Sequence, residues 1–276
     1  HLHSTFAVTS SGLPLGVLRA ECKAREQRSQ EDRRALSAIP IEEKNTFSWI
    51  QGVRDCMEIK QLMPHTSLIS VMDREADFFE IFDDQRRKSS RVDLLIRAQH
   101  NRKTMGEHKL FEEVMQSPIQ SRITIKIPRQ SARVKKKNQK ARNKRAARIA
   151  EVTVRYIRTE LKPPPYFQEM PPISLWIIHV KEEKSPAGTK AVEWFLLTTI
   201  DIKSPHVALD CIKWYCLRWR IEDWHRVLKS GCGIEALAHK TAGRLKRAIA
   251  INLVIAWRIM LMTLMGREMP ELSPEV

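Results

Sequence analysis

Paired cysteines are what this chain most plainly lacks. Its five cysteines, Cys22, Cys56, Cys211, Cys216 and Cys232, are odd in number and include no Cys-x-x-Cys pair. That argues against a disulfide framework or a zinc site and fits a reducing, cytoplasmic setting. No signal-peptide pattern opens the sequence at His1. An unbroken apolar run is missing as well, because the longest, Ala248 to Met265, contains Asn252 and Arg258. A central arginine costs about 2.5–3.5 kcal/mol on insertion scales, so this run reads as a buried core helix and no membrane partner is expected. No internal repeat is detectable.

What the chain has in excess is positive charge. Forty-eight Lys and Arg against 32 Asp and Glu leave a formal net charge of +16 over 276 residues. The balance favours a polyanionic partner, nucleic acid ahead of an anionic membrane surface. Between Arg129 and Arg148, ten of twenty residues are basic and none is acidic. Such a run is either a solvated loop or a strip that neutralises phosphates without reading sequence. The length allows one large domain or a domain carrying an insertion.

Local patterns predict an α/β organisation. Ser4–Thr9 reads as a strand, 11–14 as a turn, and Leu15–Ala24 as the antiparallel mate. An exposed charged loop is expected over 23–34. A helix follows, with Trp49, Ile50, Val53 and Met57 at helical spacing and Asn45 or Thr46 as N-cap. Thr66–Met72 reads as a buried strand ending in Asp73-Arg74-Glu75-Ala76-Asp77. A short helix with Phe78, Phe79 and Phe82 and a strand over Val92–Arg97 come next. From 101 to 190 short alternating strands, at Ile123–Ile127, Val152–Arg158 and Ile173–Val180, suggest an all-β insertion. The α/β pattern resumes with a strand over Trp194–Thr199, and Ser204-Pro205 opens a helix. The expected organisation is thus core at 1–100, basic β-rich insertion at 101–190, and core again at 191–276.

Two constellations carry chemistry. At about 100° per residue, Tyr215, Arg218, Glu222 and Lys229 fall within an arc of about 60° on one helix face, opposite Trp214, Leu217, Ile221, Trp224 and Leu228. A carboxylate between a guanidinium, a phenol and an ammonium suits a site that grips metal and phosphate. The plainer reading is a solvated face with ordinary salt bridges. Asp73 ends a hydrophobic strand, where ligands gather in open α/β sheets, although it could equally cap the helix that follows. Carboxylates converging on phosphate need a cation, and oxygen ligands favour Mg²⁺ or Mn²⁺. Two such ions about 3.5–4 Å apart can serve in-line displacement.

Asp-Arg-Glu-Ala-Asp at 73–77 after a strand, with Tyr-x2-Arg-x3-Glu-x6-Lys at 215–229, resembles the bacterial cut-and-paste transposases of the insertion-sequence-four family, relatives of the transposon-five enzyme. The likeness extends over nearly the whole chain. It implies an RNase H-like mixed sheet with flanking helices and a DDE site, in which Asp73 is the second Asp, Glu222 is the Glu, and both bind Mg²⁺ or Mn²⁺, two ions in the complete site. It further implies that Tyr215, Arg218 and Lys229 contact DNA phosphates. Trp194, in Glu193-Trp194-Phe195-Leu196-Leu197-Thr198, would stack on a base flipped from the terminal duplex; a core tryptophan is the competing reading. Arg97 and Arg102 match a DNA-contacting segment, with Gln99 standing where a basic residue is usual.

The family's first Asp has no counterpart here, since Glu21, Glu26, Glu31 and Asp32 match no such motif. The first core strand is therefore expected to lie upstream of His1, as is the end-recognition domain, and most of a C-terminal dimerisation segment is expected beyond the end. The resemblance implies hydrolysis at transposon ends followed by strand transfer into target DNA, a homodimer in the full-length protein, and a bacterial cytoplasmic location. The alternatives are a DNA-binding transposase remnant without chemistry and an RNase H-like nuclease.

Overall fold

The computed structural model describes residues 2–23, 39–88, 91–127, 129, 132 and 146–268. Nearly all of the charged loop at 23–34 and most of the basic run at 129–148 lie outside the described residues. In chain order the elements begin with strands β1 (Leu2–Val8) and β2 (Pro14–Cys22), helix α1 (Phe47–Leu62), strand β3 (Ile69–Met72), helix α2 (Phe79–Arg87) and strand β4 (Asp93–Arg97). Helix α3 (Leu110–Gln116) precedes β5 (Ser121–Ile127), β6 (Arg148–Leu161), β7 (Ile173–Glu182) and β8 (Glu193–Thr198). Helices α4 (Pro205–Leu217), α5 (Trp219–Arg226) and α6 (Ala242–Glu268) follow, with a π-helical turn at Val227–Gly231 after α5. This mixed α/β chain divides into two compact bodies. One comprises His1–Val71, Glu80–Val92 and Asp210–Val276, the other Met72–Phe79 and Asp93–Leu209.

In the first body β1 and β2 form the expected antiparallel hairpin, from Leu2↔Cys22 to Val8↔Pro14. Its turn closes when Thr9 N donates to Leu13 O at 2.9 Å and Leu13 N to Thr9 Oγ1 at 3.0 Å. Gly12 adopts φ +94°, and a Cβ there would lie 2.9 Å from Leu217 Cδ2 and 3.1 Å from Arg220 Nε. Glycine both permits the backbone and lets the turn approach these side chains. Helix α1 buries Ile50, Val53, Cys56 and Met57, one face at helical spacing. Arg19 of β2 fixes it, donating to Asp55 Oδ2 at 2.7 Å and Gln51 Oε1 at 3.0 Å.

The core of this body joins Trp224 and Leu228 to Leu253, Ala256, Met260 and Leu264 of α6. Phe6 stacks on Trp224 with ring centroids 5.1 Å apart, and Trp257 Nε1 donates to Pro14 O at 3.1 Å. The sequence expectation of a buried core helix at 248–265 holds for one face only. Ile251, Val254, Ile255, Ile259 and Met262, at the complementary helical spacing, are exposed. By length and composition Ala242–Arg267 is apolar enough to cross a membrane.

The second body is built on sheet strands in the order β4-β8-β7-β6-β5. Every pairing from β4 to β5 is antiparallel. Leu94, Leu95 and Ile96 of β4 and Leu196 and Leu197 of β8 are wholly buried, as their continuous apolar runs require. Residues 101–190 are not all β. They include α3, whose Leu110 and Val114 are buried and which packs on β6 and β7. Their strands β5, β6 and β7 extend the sheet that contains β4 and β8 rather than forming one of their own.

Candidate functional site

The segment from Tyr215 to Lys229 is not one continuous α-helix. Helix α4 ends at Leu217, where Arg218 N donates to Tyr215 O at 3.1 Å, a tightened i→i+3 turn, and α5 starts at Trp219. Beyond Arg226 the backbone widens, and Cys232 N donates to Val227 O at 3.0 Å across five residues. Both changes alter the phase on which the predicted polar stripe depends. Tyr215 is consequently not on a polar face. It is 3% exposed and continues the buried stripe of Cys211 and Ile212.

Arg218 and Glu222 do come together, with Arg218 Nη2 donating to Glu222 Oε1 at 2.7 Å across one helical turn. The Arg218 guanidinium lies 5.1 Å from the centroid of the Trp219 ring. Its side chain is only 16% exposed, whereas that of Glu222 is 42% exposed, so the carboxylate reaches solvent from a partly sheltered arginine. Lys229 sits in the π-helical turn and pairs instead with Glu235, Nζ to Oε1 at 3.2 Å. One turn from Glu222, His225 Nε2 is 3.2 Å from Ser4 Oγ. Burial, followed by the Lys229 charge, holds this imidazole below its usual pKa. Trp224 and Leu228, predicted to face inward, are 0% and 1% exposed.

In the second body Asp73 leaves the end of β3 and caps the 3₁₀ turn Arg74–Ala76, its Oδ1 accepting from Glu75 N at 2.9 Å. The helix-cap alternative is therefore realised in part. Four residues later, Asp77 is the more constrained carboxylate, with a fully buried side chain. Its Oδ2 accepts from Gln99 N at 2.6 Å and His100 N at 2.9 Å, and its Oδ1 from Arg102 Nη2 at 2.8 Å. Arg102 also donates to the Asp77 carbonyl. Its charge is thus committed within the protein. Asn101 completes the anchoring, since its Oδ1 accepts from Phe111 N at 2.9 Å and its Nδ2 donates to Glu112 Oε1 at 2.9 Å.

Arg97 Nη2 donates to Glu193 O at 3.3 Å, the residue before Trp194. Trp194 is half-buried, opposite Val180 in the β7–β8 register. Beside it a stack forms that sequence reasoning missed. Phe195 lies between Phe111, with centroids 3.9 Å apart, and His179, at 4.4 Å. His179 Nε2 is 2.9 Å from Glu193 Oε1, and burial depresses the His179 pKa despite that carboxylate.

Arg148, the last member of the basic run, pairs bidentately with buried Glu182. The arginine holds the Glu182 carboxyl below its ordinary pKa. Neither Asp77–Arg102 nor Arg148–Glu182 has a local sequence signal, because the partners are 25 and 34 residues apart. Among the described residues no group of three or more His, Cys, Asp or Glu could hold a metal ion. The described donors thus do not by themselves make a three-carboxylate set. No protein-family model matches the chain.

Proposed function

We propose that this chain is the catalytic core of a DDE-type DNA transposase with an RNase H-like fold, resembling the insertion-sequence-four family. The observation that carries the reading is the Arg218–Glu222 pair. It lies within a tyrosine–arginine–glutamate–lysine spacing that ordinary surface salt bridges do not require. Arg218 orients the carboxylate while a half-exposed Oε group remains open to solvent. Asp73, at a strand end, is the second carboxylate of the proposal. Mg²⁺ or Mn²⁺ belongs to it as the cofactor that the family resemblance implies. Arg97 and Trp194 are the proposed contacts to the DNA end, with DNA ends and target DNA as partners and a second copy completing the full-length assembly.

The burial of Tyr215 and the commitment of Arg102 to Asp77 alter two roles within the proposal. Both residues shape the surroundings of the DNA contacts rather than meeting phosphate. The test compares binding and cleavage of duplexes carrying the terminal repeats that flank the gene. Arg218→Ala should abolish end cleavage while the protein stays folded, with only a modest fall in melting temperature. A variant that melts early yet cleaves normally would leave Arg218 as a structural salt bridge only. Because the resemblance leaves this chain without the first Asp, it should bind without cleaving by itself; binding without cleavage under any divalent ion by the full-length protein would favour the non-enzymatic DNA-binding alternative.

A further inference from the structure

Three lysines of the second body stand side by side on one exposed face, although 53 residues separate Lys109 from Lys162. Thr104 pairs with Leu161 at the end of β6. Met105 N donates to Glu160 O at 2.9 Å and Lys162 N to Lys103 O at 3.1 Å, bracketing that pair. Lys103 and Lys162 are therefore direct cross-strand neighbours. Successive side chains alternate between faces, so Thr104 and Leu161 turn inward, 5% and 0% exposed, while Lys103 and Lys162 are exposed. On its other edge Lys103 bridges to exposed Lys109, flanked by Leu110 N donating to Arg102 O at 3.0 Å.

The resulting order is Lys109–Lys103–Lys162, with Cα separations of about 4.5 Å and about 5.5 Å for these two kinds of antiparallel pair. Like charges placed directly opposite destabilise a sheet. Glu107 and Glu160 are exposed nearby, yet none of the three ammonium groups forms an ion pair with a described acid. A row about 10 Å long covers about three successive phosphate-to-phosphate steps of one DNA strand, each advancing about 3.4 Å along the axis.

We propose that Lys103, Lys109 and Lys162 form a sequence-independent docking strip for the phosphate backbone of duplex DNA. This rests on the DNA-processing function proposed above and carries its contact surface from the residue after Arg102 across to Lys109 and Lys162. The row supplies point charges without base-reading geometry, so it positions DNA rather than selecting it.

The test is the triple variant Lys103→Gln, Lys109→Gln, Lys162→Gln in the full chain, with duplexes of unrelated sequence titrated across a salt series. The log–log salt slope of affinity should fall by about 2.7, at about 0.9 for each phosphate no longer neutralised, equally for every sequence. Melting temperature should hold or rise as repulsion is relieved. An unchanged slope, with normal DNA binding by the unaltered chain, would overturn the strip and leave the proposed function standing. Failure of the unaltered chain to bind any duplex would overturn both. Loss of binding to phosphatidylserine vesicles with an unchanged DNA slope would assign the row to a membrane surface, against this proposal.

Discussion

Asp77 keeps a charge in a place water does not reach, and everything around it is arranged to make that tolerable. Two backbone N–H groups and one guanidinium satisfy its oxygens. Removing one partner of such a pair typically costs about 3–5 kcal/mol. Arg102→Ala should therefore lower unfolding free energy in urea by about 3 kcal/mol, while Lys203→Ala, which removes one exposed ion pair with Asp201, should cost about 1 kcal/mol or less. Equal losses would contradict the assignment of Arg102 as an internal strut. The family resemblance placed Arg102 among DNA contacts, and nothing local in the sequence hints at an acid partner 25 residues earlier.

His179 supplies a pH-dependent counterpart. Burial lowers its folded-state pKa below the unfolded value, so the unfolded chain binds the extra proton as pH falls. Stability is thus greatest above the unfolded pKa, about 6.5, and declines as pH drops towards the folded value. His225 shifts in the same direction and adds to the decline. His179→Phe, which retains an aromatic ring against Phe195, should show a shallower fall in melting temperature from pH 7 to pH 5 than the unaltered chain, on the timescale of a reversible thermal scan. Parallel curves would show that this imidazole does not titrate on unfolding.

At the scale of elements, the interrupted helix from Tyr215 to Lys229 is where periodicity misled. Trp224 was legible as core because α5 holds its phase around it, and Leu228 stays buried at the start of the widened turn that follows. Tyr215 lies before the tightened turn at Arg218, and Lys229 lies within a widened one. A phase projected across both cannot be right for either end. The hairpin β1–β2 and strand β4 were legible for the opposite reason. Period-two alternation and continuous apolar runs need no long-range partner to be recognised.

Gly12 joins the hairpin to that helical junction. Its positive φ and the 2.9 Å approach of Leu217 to the missing Cβ predict that Gly12→Ala loses about 1–3 kcal/mol. Denaturant unfolding checks this directly. A loss near zero would mean that the turn moves away without consequence.

For the whole molecule, charge and chemistry must be separated. The +16 excess can draw any polyanion to the surface, so DNA binding alone does not distinguish a transposase core from a remnant. Glu222 is the exposed end of the Arg218–Glu222 pair, at 42% against 16% for Arg218, so Glu222 is the member open to substitution without unfolding. The metal dependence implied by the resemblance gives a second handle, since chelation should abolish cleavage while leaving the electrostatic component of binding in place.

The decisive measurement is end cleavage, scored as release of a 3′-hydroxyl from duplexes bearing the flanking terminal repeats in Mg²⁺ or Mn²⁺, by the full-length protein. Asp73→Asn and Glu222→Gln should each abolish cleavage, with DNA affinity and melting temperature close to those of the unaltered protein. Cleavage that survives both substitutions would contradict the account and place the chemistry elsewhere in the chain.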